Sequence, residues 1–203
     1  MSTDHFQKHD YQAGKIDWNF NIVFDDQPQV AAMVEKYAKL LDHPGLYPPI
    51  PSQWLHSTIL RVGTTEEYTE EEMRAVAEAL KPKLAGLQLP ELKLGPWWMW
   101  GSTPVLHMAP EDPIDELFEL IMAEIEKVVG KNRMPQPTRF IPHVTLAYTR
   151  TTDKAIEVYE KLLANPIPPV TFKASRMPLI KQQVIDHVYQ WEVVEDLQLG
   201  SIG

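Results

Sequence analysis

The chain has no cysteine, so disulfide staples, thiolate metal sites and cysteine nucleophiles are all excluded. A cytoplasmic location is the expectation, since the N-terminal residues also lack the apolar run and small-residue cleavage site of a secretion signal. No stretch approaches the roughly 18 consecutive apolar residues of a membrane span, and no membrane role is expected. Positive charge is scarce too: 19 lysines and arginines stand against 28 acidic residues, a formal net charge of −9. Following a long nucleic acid requires many phosphates to be neutralised, so that function is not expected. A small or terminal phosphate, held by local donors at close range, stays open as a ligand. Neither G-x-x-x-x-G-K-[ST] nor G-x-G-x-x-G occurs, which removes the usual triphosphate and dinucleotide cradles. His5, His9, His43 and His187 are scattered over the N-terminal segment, a turn and a strand end. No metal or other cofactor is expected.

What the chain does have is enough apolar residue, 44% of 203, to bury one substantial core or two lobes sharing an interface. Residues 1–14 are polar and aperiodic and read as a flexible tail, leaving 15–203 as a single bilobal domain. Alternation of Ile16, Trp18, Phe20, Ile22 and Phe24 with polar residues predicts a half-buried strand. Asp26 is placed to cap a helix carrying Val30, Met33, Val34, Tyr37, Leu40 and Leu41. A proline-rich loop then leads to a second strand, WLHSTILRV. Thr69 and Glu72 form a capping box for a helix from about Glu70, which Pro82 is expected to end or kink. A hairpin over about 88–99 and 103–109 follows, then a helix from Asp112 to Gly130. After a further proline loop come the strand HVTLAYT, a helix over about 153–163, and strands near 168–180 and 186–195.

The second half repeats the order of the first. The opening strands start near Ile16 and Thr103, an offset of 87, and 143 − 56 = 87 separates two histidines, His56 and His143. A period of that length in two copies predicts a duplicated α+β unit, with pseudo-repeats at about 16–100 and 103–195, rather than a solenoid. Each histidine opens an H-x-T run: His56-Ser57-Thr58 and His143-Val144-Thr145. On a strand, residues two apart share a face, so each histidine stands beside its threonine while Ser57 and Val144 turn to the other side. Two imidazoles with ordinary pKa values near 6.5 can divide proton removal and proton delivery between them. The threonine hydroxyls can hold phosphoryl oxygens that gain charge in the transition state. One H-x-T would carry little weight; two at matched positions of a repeat point to chemistry.

With PHVTLAY and LHSTILRVG in place, the chain from Ile16 onward resembles the 2H phosphoesterase superfamily, in particular its 2′-5′ RNA ligase and cyclic phosphodiesterase members, marked by two H-x-[ST]-x motifs. The resemblance implies a bilobal fold with two antiparallel sheets facing a central cleft and helices outside. It implies a cofactor-free site of His56, Thr58, His143 and Thr145. It further implies 2′,3′-cyclic phosphates, 2′-5′ linkages or related nucleotide phosphodiesters as substrates, handled by a monomer. A nucleotide or RNA-end binding protein that keeps the cleft without turnover is the alternative. Base and acid roles are left open by the symmetry of the motifs.

Around the motifs, Arg61 and Tyr148 each follow a histidine by five residues, and Asn19 and Asn21 lie on the polar face of the first strand. These four are the candidate substrate-binding residues, although strict alternation turns Arg61 and Tyr148 away from the histidines. His107, within VLHMA, reads as a structural histidine. Trp97, Trp98 and Trp100 read as hairpin packing that could also stack on a base. Arg139, Arg176 and Lys181 are basic residues near strand ends, with nothing in the sequence to single one out.

Overall fold

The computed structural model describes residues 4–8, 14–136 and 141–200. Its first sheet has the order β2-β1-β7-β8, from His56–Thr64 (β2), Asp17–Val23 (β1), Leu179–Ile185 (β7) and Val188–Glu195 (β8). The second has the order β5-β4-β3-β6, from His143–Thr145 (β5), Thr103–Ala109 (β4), Leu92–Trp100 (β3) and Val170–Phe172 (β6). All neighbouring strands are antiparallel. Helices lie outside: Pro28–Leu40 (α2), Glu70–Ala85 (α3), Asp112–Val129 (α4) and Ala155–Ala164 (α5), with a short α1 at His5–Lys8. None is long and apolar enough to cross a membrane, among the described residues.

The two motif strands, β2 and β5, are the edge strands of their sheets, and they lie against each other. The cleft is therefore a seam between sheets with one histidine strand on each side. A single continuous core, from Phe6 to Leu199, backs both sheets and fixes their relation. The 87-residue offset reaches a third strand pair as well, since β3 starts at Leu92, β7 at Leu179, and 179 − 92 = 87. These two strands cross over: β3 joins the sheet of the second half and β7 that of the first.

Several elements depart from expectation. All seven residues of β1 are buried, not one face only, because the strand is central, flanked by β2 and β7. Trp18, Phe20 and Ile22 enter the core, and Asp17, Asn19 and Asn21 are buried on the other face. Helix α2 is capped by Gln27 with no side-chain bond, and Pro28 begins it. Asp26 instead accepts hydrogen bonds from Ser175 and Gln27. The Thr69–Glu72 capping box forms as expected, but α3 continues through Pro82 to Ala85. The strand expected at 143–149 stops at Thr145, because the proline loop takes over its partners: Ile50 donates to the Leu146 carbonyl and Tyr47 to that of Tyr148. The strand expected near 168–180 divides into β6 and the start of β7, one in each sheet. In the segment expected to be a loose tail, α1 buries Phe6, and Asp4 accepts from the Phe6 and Gln7 amides.

Candidate active site

Each motif histidine is anchored in the same way. In both, the imidazole Nδ1–H donates to the carbonyl two residues back, 2.9 Å to Trp54 for His56 and 2.7 Å to Ile141 for His143. A carbonyl only accepts, so Nδ1 carries the proton and, in the neutral ring, Nε2 is left as the basic nitrogen. Both rings are half-buried. Burial pushes His56 down to about 4, with a smaller contribution from charge on His143, against the Trp54 hydrogen bond that favours the charged ring. Burial also lowers His143, and charge on the neighbouring His107 adds to it. Thr58 and Thr145 are half-buried and pair across to Asn21 and Val105.

Cross-strand partners share a face, which sorts the other candidates. Asn21 faces the same side as Thr58, fully buried, with both amide atoms lacking a hydrogen-bond partner among the described residues. Asn19 is buried and donates weakly to the Asp17 carbonyl at 3.5 Å. Arg61 does not point away from the motif face as strict alternation requires. The register skips Ile59, setting Thr58 opposite Asn21 and Arg61 opposite Asn19, so a bulge brings the guanidinium back to that face. There it pairs with Asp17 at 2.9 Å. Tyr148 is buried in an aromatic cluster with His5, Phe6 and Tyr189.

Arg176 is engaged by Asp25 and Asp196, and Lys181 by Glu70 and Glu192, so these cations have carboxylate partners already. Arg139 lies outside the described residues. Trp97 packs edge-on against Tyr159 of α5. Trp98 and Trp100 part from it: their β4 partners Val105 and Thr103 share a face with His107, itself opposite His143, so both indoles lie on the histidine face.

Sequence reasoning missed the surroundings of His56. Gln182 of β7, buried, places its amide nitrogen 3.4 Å from the His56 Nε2. Trp191, opposite Gln182, meets the same imidazole edge-on at 5.0 Å, and Trp54 meets Trp191 likewise at 5.0 Å. The shared spacing of β3 and β7 was the one signal that could have placed β7 beside β1. Nothing in it marks Gln182, whose counterpart 87 residues earlier is Gly95. Two open concavities among the described residues, about 340 Å³ around Phe24–Pro28 and about 480 Å³ around Gly14–Ile16, are lined by neither motif histidine.

A model of the 2′-5′ RNA ligase superfamily matches residues 24–186, well over half of the chain. The chain belongs to the 2′-5′ RNA ligase superfamily. Solved structures agree in fold. TT0787 of Thermus thermophilus superimposes with a TM-score of 0.65 at 24% identity, covering 93% of this chain and 100% of that one. E. coli LigT complexed with 3′-AMP gives 0.62 at 18% identity over 91% and 98%. A crystal structure described as a phosphoesterase gives 0.62 at 16% identity, again over 91% and 98%. No curated protein matches the sequence. The expected architecture, two antiparallel sheets about a cleft with helices outside, is thus the fold of this superfamily as well as of this chain, with four strands in each sheet here.

Proposed function

We propose that this member of the superfamily is a phosphodiesterase that needs no metal, acting on 2′,3′-cyclic phosphates, 2′-5′ linkages or related nucleotide phosphodiesters. The observation that carries the reading is the matched pair of imidazoles on abutting edge strands, each tied through Nδ1 to a carbonyl two residues back. Each has its Nε2 as the basic nitrogen, in His56 with the Gln182 amide 3.4 Å away, and each has a threonine two residues on along the same face.

In hydrolysis of a cyclic phosphate, one Nε2 takes a proton from water as the water oxygen bonds to phosphorus. The phosphorus–ribose oxygen bond breaks, and the other imidazole, protonated, delivers its Nε2 proton to the departing oxygen. Thr58 and Thr145 would donate to the non-bridging oxygens. Complexes of E. coli LigT with 3′-AMP, ATP and NADP+ support a small nucleotide as ligand.

The test is turnover of 2′,3′-cyclic AMP and of a 2′-5′ dinucleotide in EDTA. Wild-type protein is expected to be active, and His56→Ala and His143→Ala each to lose at least about 100-fold, the scale of one general acid or base. Full activity in either variant would rule the mechanism out.

A further inference from the structure

Two indoles on the cleft face of the second sheet remain partly open to solvent. Trp98 and Trp100 are 38% and 41% exposed, large apolar rings on a strand where Trp97 and Met99 are packed. They do not stand alone. Trp100 is tilted against His143 at 4.8 Å between ring centres, and Trp98 stands edge-on to Trp100 at 5.8 Å. His107 lies 6.3 Å from Trp98 and pairs across strands with His143, which closes a quartet of rings. Glu111 holds the His107 Nε2 at 2.9 Å and so orients its ring.

We infer that Trp98 and Trp100 are a shelf on which the nucleobase of the substrate stacks, placing the nucleoside on the His143 side of the cleft. The substrate class rests on the phosphodiesterase reading above. Flat aromatic faces bind any base through its π-face, with little sequence preference. Neighbouring exposed indoles beside a cleft form the kind of apolar patch that marks a ligand-binding groove. Among the described residues, the aromatic neighbours of His56 are Trp54, Trp191 and Tyr189, all half-buried, with Trp191 edge-to-face against both His56 and Trp54. In a nucleotide only the sugar ring separates the base from its 2′ and 3′ oxygens, and Trp100 and His143 are immediate neighbours. A base on Trp100 therefore brings the ribose oxygens of the scissile bond to His143. That makes His143 the proton donor to the departing ribose oxygen and His56 the base that takes the water proton.

The test compares 3′-AMP with ribose 3-phosphate, which has no base, by calorimetry on the full chain. Wild-type protein is expected to bind 3′-AMP more tightly by about tenfold or more, the scale of one stacked base. The preference should vanish in Trp98→Ala/Trp100→Ala and return in large part in Trp100→Phe, which keeps a ring; unchanged binding of ribose 3-phosphate shows that the alanine variant is folded. Equal wild-type binding of the two ligands, or a preference that survives the double substitution, overturns the shelf. Because binding is read without turnover, a protein that prefers 3′-AMP through these residues yet hydrolyses no cyclic phosphate would leave the shelf standing and sink the phosphodiesterase reading instead.

Discussion

Ser57 and Thr58 are adjacent in sequence and serve opposite sides of β2. Ser57 is fully buried with a hydroxyl that finds no partner among the described residues, whereas Thr58 stands on the face of His56. An orphaned buried hydroxyl costs about 1–3 kcal/mol. Ser57→Ala is therefore expected to hold or raise stability in urea unfolding with turnover unchanged, while Thr58→Ala loses turnover by roughly tenfold or more, as for a missing transition-state donor. His56 carries the second residue-scale expectation. Its folded value, about 4, lies below its ordinary one of 6.5, so protons favour the unfolded chain. Stability from the neutral ring is complete above about pH 6.5 and is lost as pH falls toward 4. Relative to His56→Gln, wild type should lose up to about 3 kcal/mol across that window in pH-dependent unfolding; parallel curves would show that the ring is not held neutral. The histidines and threonines were legible because repetition singled them out. The shared face of Asn19 and Asn21 was legible from alternation, but not their burial, which comes from a neighbouring strand that begins far along the chain, at Leu179, nor the facing of Arg61, which depends on a bulge.

At the scale of elements, β3 shows why alternation alone misplaces side chains. Leu94 pairs with Met108 and Trp97 with Leu106, so two residues of β3, Gly95 and Pro96, bulge out against one of β4. The bulge reverses parity, and only because of it do Trp98 and Trp100 face the cleft while Trp97 and Met99 pack away from it. Gly95 sits at φ +99°, and a Cβ there would lie 3.3 Å from the Pro169 backbone. Gly95→Ala should cost roughly 1–3 kcal/mol, measurable by thermal or urea unfolding; a silent substitution would mean that the bulge tolerates a side chain and does not fix the strand. Capping residues gave the start of α3 directly, because Thr69 and Glu72 act within one turn. The end of the strand at Thr145 was hidden, because a distant proline loop supplies the hydrogen bonds that another strand would have.

At the scale of the molecule, the repeat in the sequence and the lobes in space are not the same division. The first half supplies β1 and β2 to one sheet but lends β3 to the other, and the second half returns β7 and β8. The 87-residue spacing reveals the copies but carries no record of the exchange, which is a matter of which edge each strand finds during folding. The crossing ties the two histidines together more firmly than a hinge between lobes could, since neither sheet is complete without chain from both halves. Cut at the β3–β4 turn, near Gly101, the protein would yield two pieces that each hold one motif histidine and each lack part of the sheet around it. Neither piece is a smaller enzyme. Each is the other's missing scaffold, so recovery of activity on mixing them would report on the meeting of two polypeptides.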